Sequence, residues 1–127
     1  MLNNLIILGL GGFFGAISRY LLSSSVQNVL KDTNFPYGTL VVNILGCFAL
    51  GALAHLAETK GLLDAQTHLF LLVGFVGAFT TFSTFSLESA SLLQSGRSAA
   101  GLLNIFGSNL LGLVFVFVGQ FLASKFW

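Results

Sequence analysis

Charge is what this sequence has least of. Its 127 residues include only five basic and four acidic side chains, 7% in all, against 55% hydrophobic. A soluble domain covers its surface with about 25% charged residues, so a water-soluble globule is excluded. The formal net charge is +1, with no basic patch to meet a phosphate backbone, which excludes nucleic acid as a partner. A single cysteine, Cys47, rules out an intrachain disulfide. In its apolar run it reads as a small buried packing residue. The single proline, Pro36, stands just before an apolar run, where a helix start tolerates it. His55 and His68 lie near the ends of apolar runs and suit interfacial positions better than ligation. No metal constellation and no nucleophile–base–acid set is visible, so no enzyme is expected. The N-terminus lacks the basic n-region of a signal peptide, and its apolar run outlasts a signal h-region. It reads as a retained membrane span.

What the chain does have is long apolar runs. A membrane helix needs about 20 mostly apolar residues, and four segments qualify: about Leu2 to Leu22, Gly38 to Ala57, Thr67 to Leu93 and Ala99 to Ala123. The fold class is therefore an all-α membrane protein, a single domain over residues 1–127 with four spans. Lys31 and Asp32, then Glu58, Lys60 and Asp64, then Arg97 occupy the connections, and Lys125 follows the last span. Four spans put both termini on one side. Lys60 and Lys125 lie on that side; Arg19, Lys31 and Arg97 lie on the other. Orientation follows the Lys/Arg excess in short loops, and two against three is almost no bias. The balance predicts insertion both ways up, and with it an antiparallel, dual-topology homodimer, an inverted repeat made of separate chains. The alternative is that Arg19, Lys31 and Arg97 fix one orientation. Small residues (the Gly11/Gly15 pair, Gly46, Gly51, Gly74, Gly77, Gly107, Gly112 and Gly119) suit close helix packing in lipid.

The third span holds the unusual chemistry. In "GFVGAFTTFSTFSLE", Gly74 to Glu88, the hydroxyls of Thr80, Thr81, Ser83, Thr84 and Ser86 crowd between Phe79, Phe82 and Phe85. Flexible Gly74 and Gly77, hydroxyls that compete for backbone groups and β-branched threonines all weaken a helix there. A break over Gly77 to Thr80, with Phe79 inside it, is expected. Such backbone is tolerated at bilayer depth only when buried in protein or lining a wet cavity. Its free carbonyls suit a hard cation such as Na⁺, and the half-helix after it points amide donors toward an anion. Hydroxyl donors without a basic side chain suit an anion that must also leave. Phe82 and Phe85, at i and i+3, share a face and offer electropositive ring edges. Asn43 on the second span and Asn104, Ser108 and Asn109 on the fourth are also polar at depth. They either donate to an anion or hold helices together. Arg19 either draws anions into a vestibule or snorkels to headgroups. Glu88 ends the polar face or pairs with a basic group.

Three stretches carry a resemblance: "GGFFGAISRYLL" from Gly11 to Leu22, "PYGTLVVNILGCFALG" from Pro36 to Gly51, and "GFVGAFTTFSTFSLE". Over essentially its whole length the chain resembles the Fluc fluoride channels, the CrcB proteins. The resemblance implies a passive fluoride channel of the cell inner (plasma) membrane that relieves fluoride toxicity. It implies an antiparallel homodimer with two pores and a central structural Na⁺ held by backbone carbonyls, which on the motif fall at Gly77 and Thr80. It places pore phenylalanines at Phe82 and Phe85, a pore-facing asparagine at Asn43 and a vestibule arginine at Arg19. Thr84 of the hydroxyl cluster and Ser108 complete the expected anion pathway. The fourth span departs from the family pattern, with Gly112 followed by Leu113 and an apolar run. A small dual-topology exporter of cationic drugs is the competing class. It needs an acid in an early span, and the first two spans have none. A non-transporting membrane scaffold is the third.

Overall fold

The structure is a computed structural model that describes residues 1–31, 34–59 and 61–126. Asp32 and Lys60, both placed in connections above, lie outside the described residues. Among those residues the fold is helical throughout. Four helical stretches are long and apolar enough to cross a membrane: Leu2–Leu30, Tyr37–Glu58, Ala65–Gln94 and Ser98–Phe126. The protein is multi-pass. The first, second and fourth stretches are the unbroken helices α1 (Leu2–Leu30), α2 (Tyr37–Glu58) and α6 (Ser98–Phe126). The third is composite: α3 (Ala65–His68), a π-helical segment (Leu69–Val76), α4 (Gly77–Phe79), two extended residues, then α5 (Phe82–Gln94).

The helices outrun the expected spans. α1 continues to Leu30, eight residues past Leu22, and at about 1.5 Å per residue its 29 residues exceed a hydrocarbon core of about 30 Å. Hydropathy falls at Ser23–Ser24–Ser25, where the apolar run stops. The helix goes on because its last turns are held by protein. Gly38 of α2 sits directly on the Ser23 carbonyl. The Gln27 side chain donates to the Phe35 carbonyl at 3.1 Å and accepts from the Gly38 N–H at 3.1 Å. Lys31 closes the helix in the left-handed region (φ 51°). Arg19 therefore lies within α1 and not at its end.

Close backbone approach organises the bundle. Gly11 and Gly15 of α1 lie against the backbone of Phe70, Gly74 and Phe75, and Gly51 and Gly119 seat α2 and α6 on each other's carbonyls. Any side chain there would overlap main chain, the small-residue contact that lipid-embedded helices rely on. Gly107, in contrast, meets only Leu103 of its own helix. At the start of the third stretch Asp64 caps α3, accepting from the Thr67 N–H at 2.7 Å. That bond holds its carboxyl below the usual carboxylate range. Arg97 donates to the carbonyl and side-chain oxygen of Asn34 at 3.1 and 3.3 Å. The α1–α2 and α5–α6 connections thus share one end of the bundle.

Candidate functional site

The third stretch breaks as anticipated, but only at the end of the expected Gly77 to Thr80 window and one residue beyond it. Gly77 is α-helical (φ −61°, ψ −35°), and neither Gly74 nor Gly77 has positive φ. The extended residues are Thr80 (φ −80°, ψ 158°) and Thr81 (φ −146°, ψ 117°). Phe79 is not inside the break. It ends α4, is buried, and stacks on Phe75 with centroids 5.9 Å apart and planes 9° apart. Gly74 serves instead as the contact for Gly11.

Side chains cause the break. Asn43 of α2 takes the place of the missing helical partners of Thr81. Its Oδ1 accepts the Thr81 N–H at 2.8 Å, and its Nδ2 donates to the Thr81 carbonyl at 3.0 Å. An amide so placed mimics a neighbouring strand and satisfies the backbone N–H and C=O of a residue that is only 8% exposed. The Thr81 hydroxyl then caps α5, accepting the Thr84 N–H at 3.2 Å. Both diversions take a donor from an upstream carbonyl. In a continuous α-helix Thr81 N–H would serve Gly77, and Thr84 N–H would serve Thr80. The break leaves the carbonyls of Gly77, Ala78, Phe79 and Thr80 without their α-helical donors; the two carbonyls expected at Na⁺, those of Gly77 and Thr80, are among these four. The Thr80 methyl fills the space left by Gly46, where a Cβ would overlap it.

Around this break lie two cavities. The larger, about 610 Å³, is bordered by Asn43, Thr80, Phe82, Phe85, Ser108 and Asn109, among others, and by no ionised side chain. Phe82 and Phe85 lie with centroids 5.9 Å apart at 43°. Cys47, expected to be buried, is half-buried and borders the same cavity beside Gly112. The smaller cavity, about 220 Å³, brings Arg19 and Thr84 together with Thr39 and Thr81. Thr81 donates to Thr84 Oγ1 at 3.0 Å, which leaves the Thr84 hydrogen for the space it shares with Arg19. Thr81 lines both cavities, so the break stands between them. The expected residues thus form two groups: Asn43, Phe82, Phe85, Ser108 and Thr80 in one, Arg19 and Thr84 in the other. Gly77 borders neither, although it is exposed on the chain's surface.

Three participants were not legible as such. Thr81 is the cap and wall between the cavities. Thr39 donates to Glu88 Oε1 at 2.7 Å, so Glu88 pairs with a hydroxyl rather than a base; its Oε2 is buried without a partner among the described residues. Asn104 is fully buried between α5 and α6. The motif spacing announced polar residues at these depths, but not which of them would find one another.

A protein-family model described as CrcB-like protein, Camphor Resistance (CrcB), matches residues 6–120. The chain is 46% identical over 116 residues to "Fluoride-specific ion channel FluC 1" of Methanosarcina acetivorans, covering 91% of this chain and 87% of that protein. It is 44% identical over 123 residues to "Fluoride-specific ion channel FluC" of Dehalococcoides mccartyi, with 97% and 94% covered. A protein of the same name from Nitrosococcus oceani is 46% identical over 112 residues, with 88% and 89% covered.

Proposed function

Because the chain belongs to the CrcB-like (Fluc) family, we propose that it is a fluoride-specific ion channel that lets F⁻ leave the cell passively across the inner (plasma) membrane and so relieves fluoride toxicity. The observation that carries this reading is the larger cavity. Aromatic edges, a side-chain amide and a serine line it at a helix break, and no ionised side chain does. A dehydrating anion there meets weak donors, enough to enter and too few to be trapped. Arg19 and Thr84, beyond Thr81, suit the approach to that path, Arg19 by charge and Thr84 by its spare hydroxyl hydrogen.

The working form is an antiparallel homodimer with two pores. Ser83, Thr84 and Asn109 are exposed on the single chain, and Phe82 is 79% exposed. Hydroxyls and amides at bilayer depth need protein or a wet cavity against them, and a second inverted copy supplies both. A structural Na⁺ at the dimer centre fits the same surface. The Gly77 and Thr80 carbonyls are hard oxygen ligands, deprived of helical donors, and need no carboxylate beside them. Bound there, the ion would supply a fixed positive charge beside the break. A drug exporter is disfavoured because α1 has no acid and α2 only Glu58, at its last residue.

Purified protein in liposomes loaded with fluoride should empty its fluoride rapidly, with chloride efflux at background in parallel vesicles. Efflux of neither ion, or of both alike, would overturn the channel reading. Orientation is checked separately. Single cysteines placed at each terminus in a Cys47→Ala background should be labelled from both sides of intact membranes in similar amounts, since the flanking charges nearly balance. Labelling from one side only, in a protein that still assembles, would sink the antiparallel dimer.

A further inference from the structure

α6 carries a hydrogen-bond chain whose direction can be deduced. Ser89 Oγ is 2.7 Å from the Phe85 carbonyl, Asn104 Nδ2 is 2.9 Å from Ser89 Oγ, and Ser108 Oγ is 3.2 Å from Asn104 Oδ1. The Phe85 carbonyl can only accept, so the Ser89 hydroxyl must donate to it. Ser89 has then spent its hydrogen and can only accept from Asn104. The Asn104 amide must therefore turn its nitrogen to Ser89 and its oxygen to Ser108. That oxygen accepts, so Ser108 must donate. Each donated hydrogen in the chain thus runs from Ser108 through Asn104 and Ser89 to the Phe85 carbonyl, and the Ser108 hydrogen is directed at Asn104. Asn104 is 2% exposed and does not border the cavity; Ser108 does.

We propose that Asn104 is a positioning residue that holds the Ser108 hydroxyl hydrogen off the ion path and so sets how tightly Ser108 can grip an anion. With its hydrogen given to Asn104, Ser108 shows the cavity oxygen lone pairs. An anion beside it must win that hydrogen from a buried amide oxygen. Bound anions are held more weakly for it, and leave sooner, which conduction requires. Remove the amide, and the hydroxyl has only helix carbonyls as rivals, which already accept a backbone N–H. Ser108 then grips the anion more tightly. This role rests on the fluoride-channel reading.

The test measures fluoride current in planar bilayers against fluoride concentration, for wild type, Asn104→Leu, Asn104→Ala and Ser108→Ala, and for Asn104→Leu combined with Ser108→Ala. Leucine keeps the side-chain volume and alanine does not, so a shared effect tracks the lost hydrogen bond rather than packing, and alanine serves if the leucine variant fails to fold. The half-saturating fluoride concentration should fall about fivefold in both single Asn104 variants, the scale of one hydrogen bond. Maximal current per channel should fall with it. In the Ser108→Ala background the Asn104 change should shift neither. A purely structural role would reduce the number of working channels and leave half-saturation where it was. That result, or a shift that persists without the Ser108 hydroxyl, overturns the proposal while wild-type current upholds the channel. Wild type without fluoride current overturns both.

Discussion

Replacing Phe82 or Phe85 with isoleucine should lower fluoride flux about five- to tenfold and leave the assembled protein melting close to wild type. Phe79→Ile should do the reverse. Phe82 and Phe85 border the cavity, one largely exposed on the single chain and the other half-buried, so little packing within the chain is at stake. Isoleucine keeps apolar bulk but loses the electropositive ring edge. Edge contacts between aromatic rings, which draw on the same quadrupole, are worth about 0.5–1.5 kcal/mol, and about 1.4 kcal/mol is tenfold in rate. Phe79 is 9% exposed and stacked on Phe75. Its loss removes van der Waals contact inside the bundle, the main adhesive between helices in lipid, and should cost about 1–2 kcal/mol of stability. Flux per folded protein should survive. Fluoride efflux and thermal melting of the three variants, measured on the same preparations, separate the cases. Near-normal flux in well-folded Phe82→Ile and Phe85→Ile would mean that these rings only pack.

Asn43→Leu should abolish flux altogether. Leucine matches the volume of asparagine closely enough to fit, but it cannot hold the Thr81 peptide. If the break persists, a buried N–H and a buried C=O lose their partners at about 1–3 kcal/mol each, and the protein melts lower. If the chain relieves that cost by turning Thr81 back into helix, Thr81 N–H returns to the Gly77 carbonyl, and the break closes. In the first case the Thr81 backbone loses the clamp that fixes it between the two cavities, and in the second the break itself is gone. Asn43→Asp should also fail, since it keeps the acceptor for Thr81 N–H, loses the donor for the Thr81 carbonyl, and adds a negative charge beside an anion path. Proteoliposome efflux of either variant at more than about a tenth of wild type would show that Asn43 is not the clamp.

These residues also show where sequence reading succeeds and stops. Four spans were legible because hydropathy reports directly on lipid contact. The break was legible because five hydroxyls in seven residues make a membrane helix locally ambiguous. Its position was not. Gly74 and Gly77 permit a break, but Asn43, distant in sequence, decides it by bonding Thr81, so the break falls where a tertiary partner waits. The same holds for Arg19. Hydropathy ended the first span at Leu22, three residues past it, yet Gln27 and Gly38 prolong α1 by protein contacts that a window average cannot register. The π-helical segment was invisible for a related reason: "LFLLVGFV" is apolar on every face, so no periodicity distinguishes one helical form from another.

That segment has a consequence best put in terms of phase. A π turn closes its hydrogen bond over one residue more than an α turn, and an α-helix turns about 100° per residue. Leu69–Val76 thus sets the angular offset between the face that meets α1 and the face that carries Thr80 and Thr81. Loss of a single codon within it would leave hydropathy, length and composition almost untouched. It would nonetheless swing everything downstream by roughly a quarter turn, carrying Thr81 away from Asn43. In this protein the spacing of a featureless apolar run is as much a part of the site as any residue that lines it.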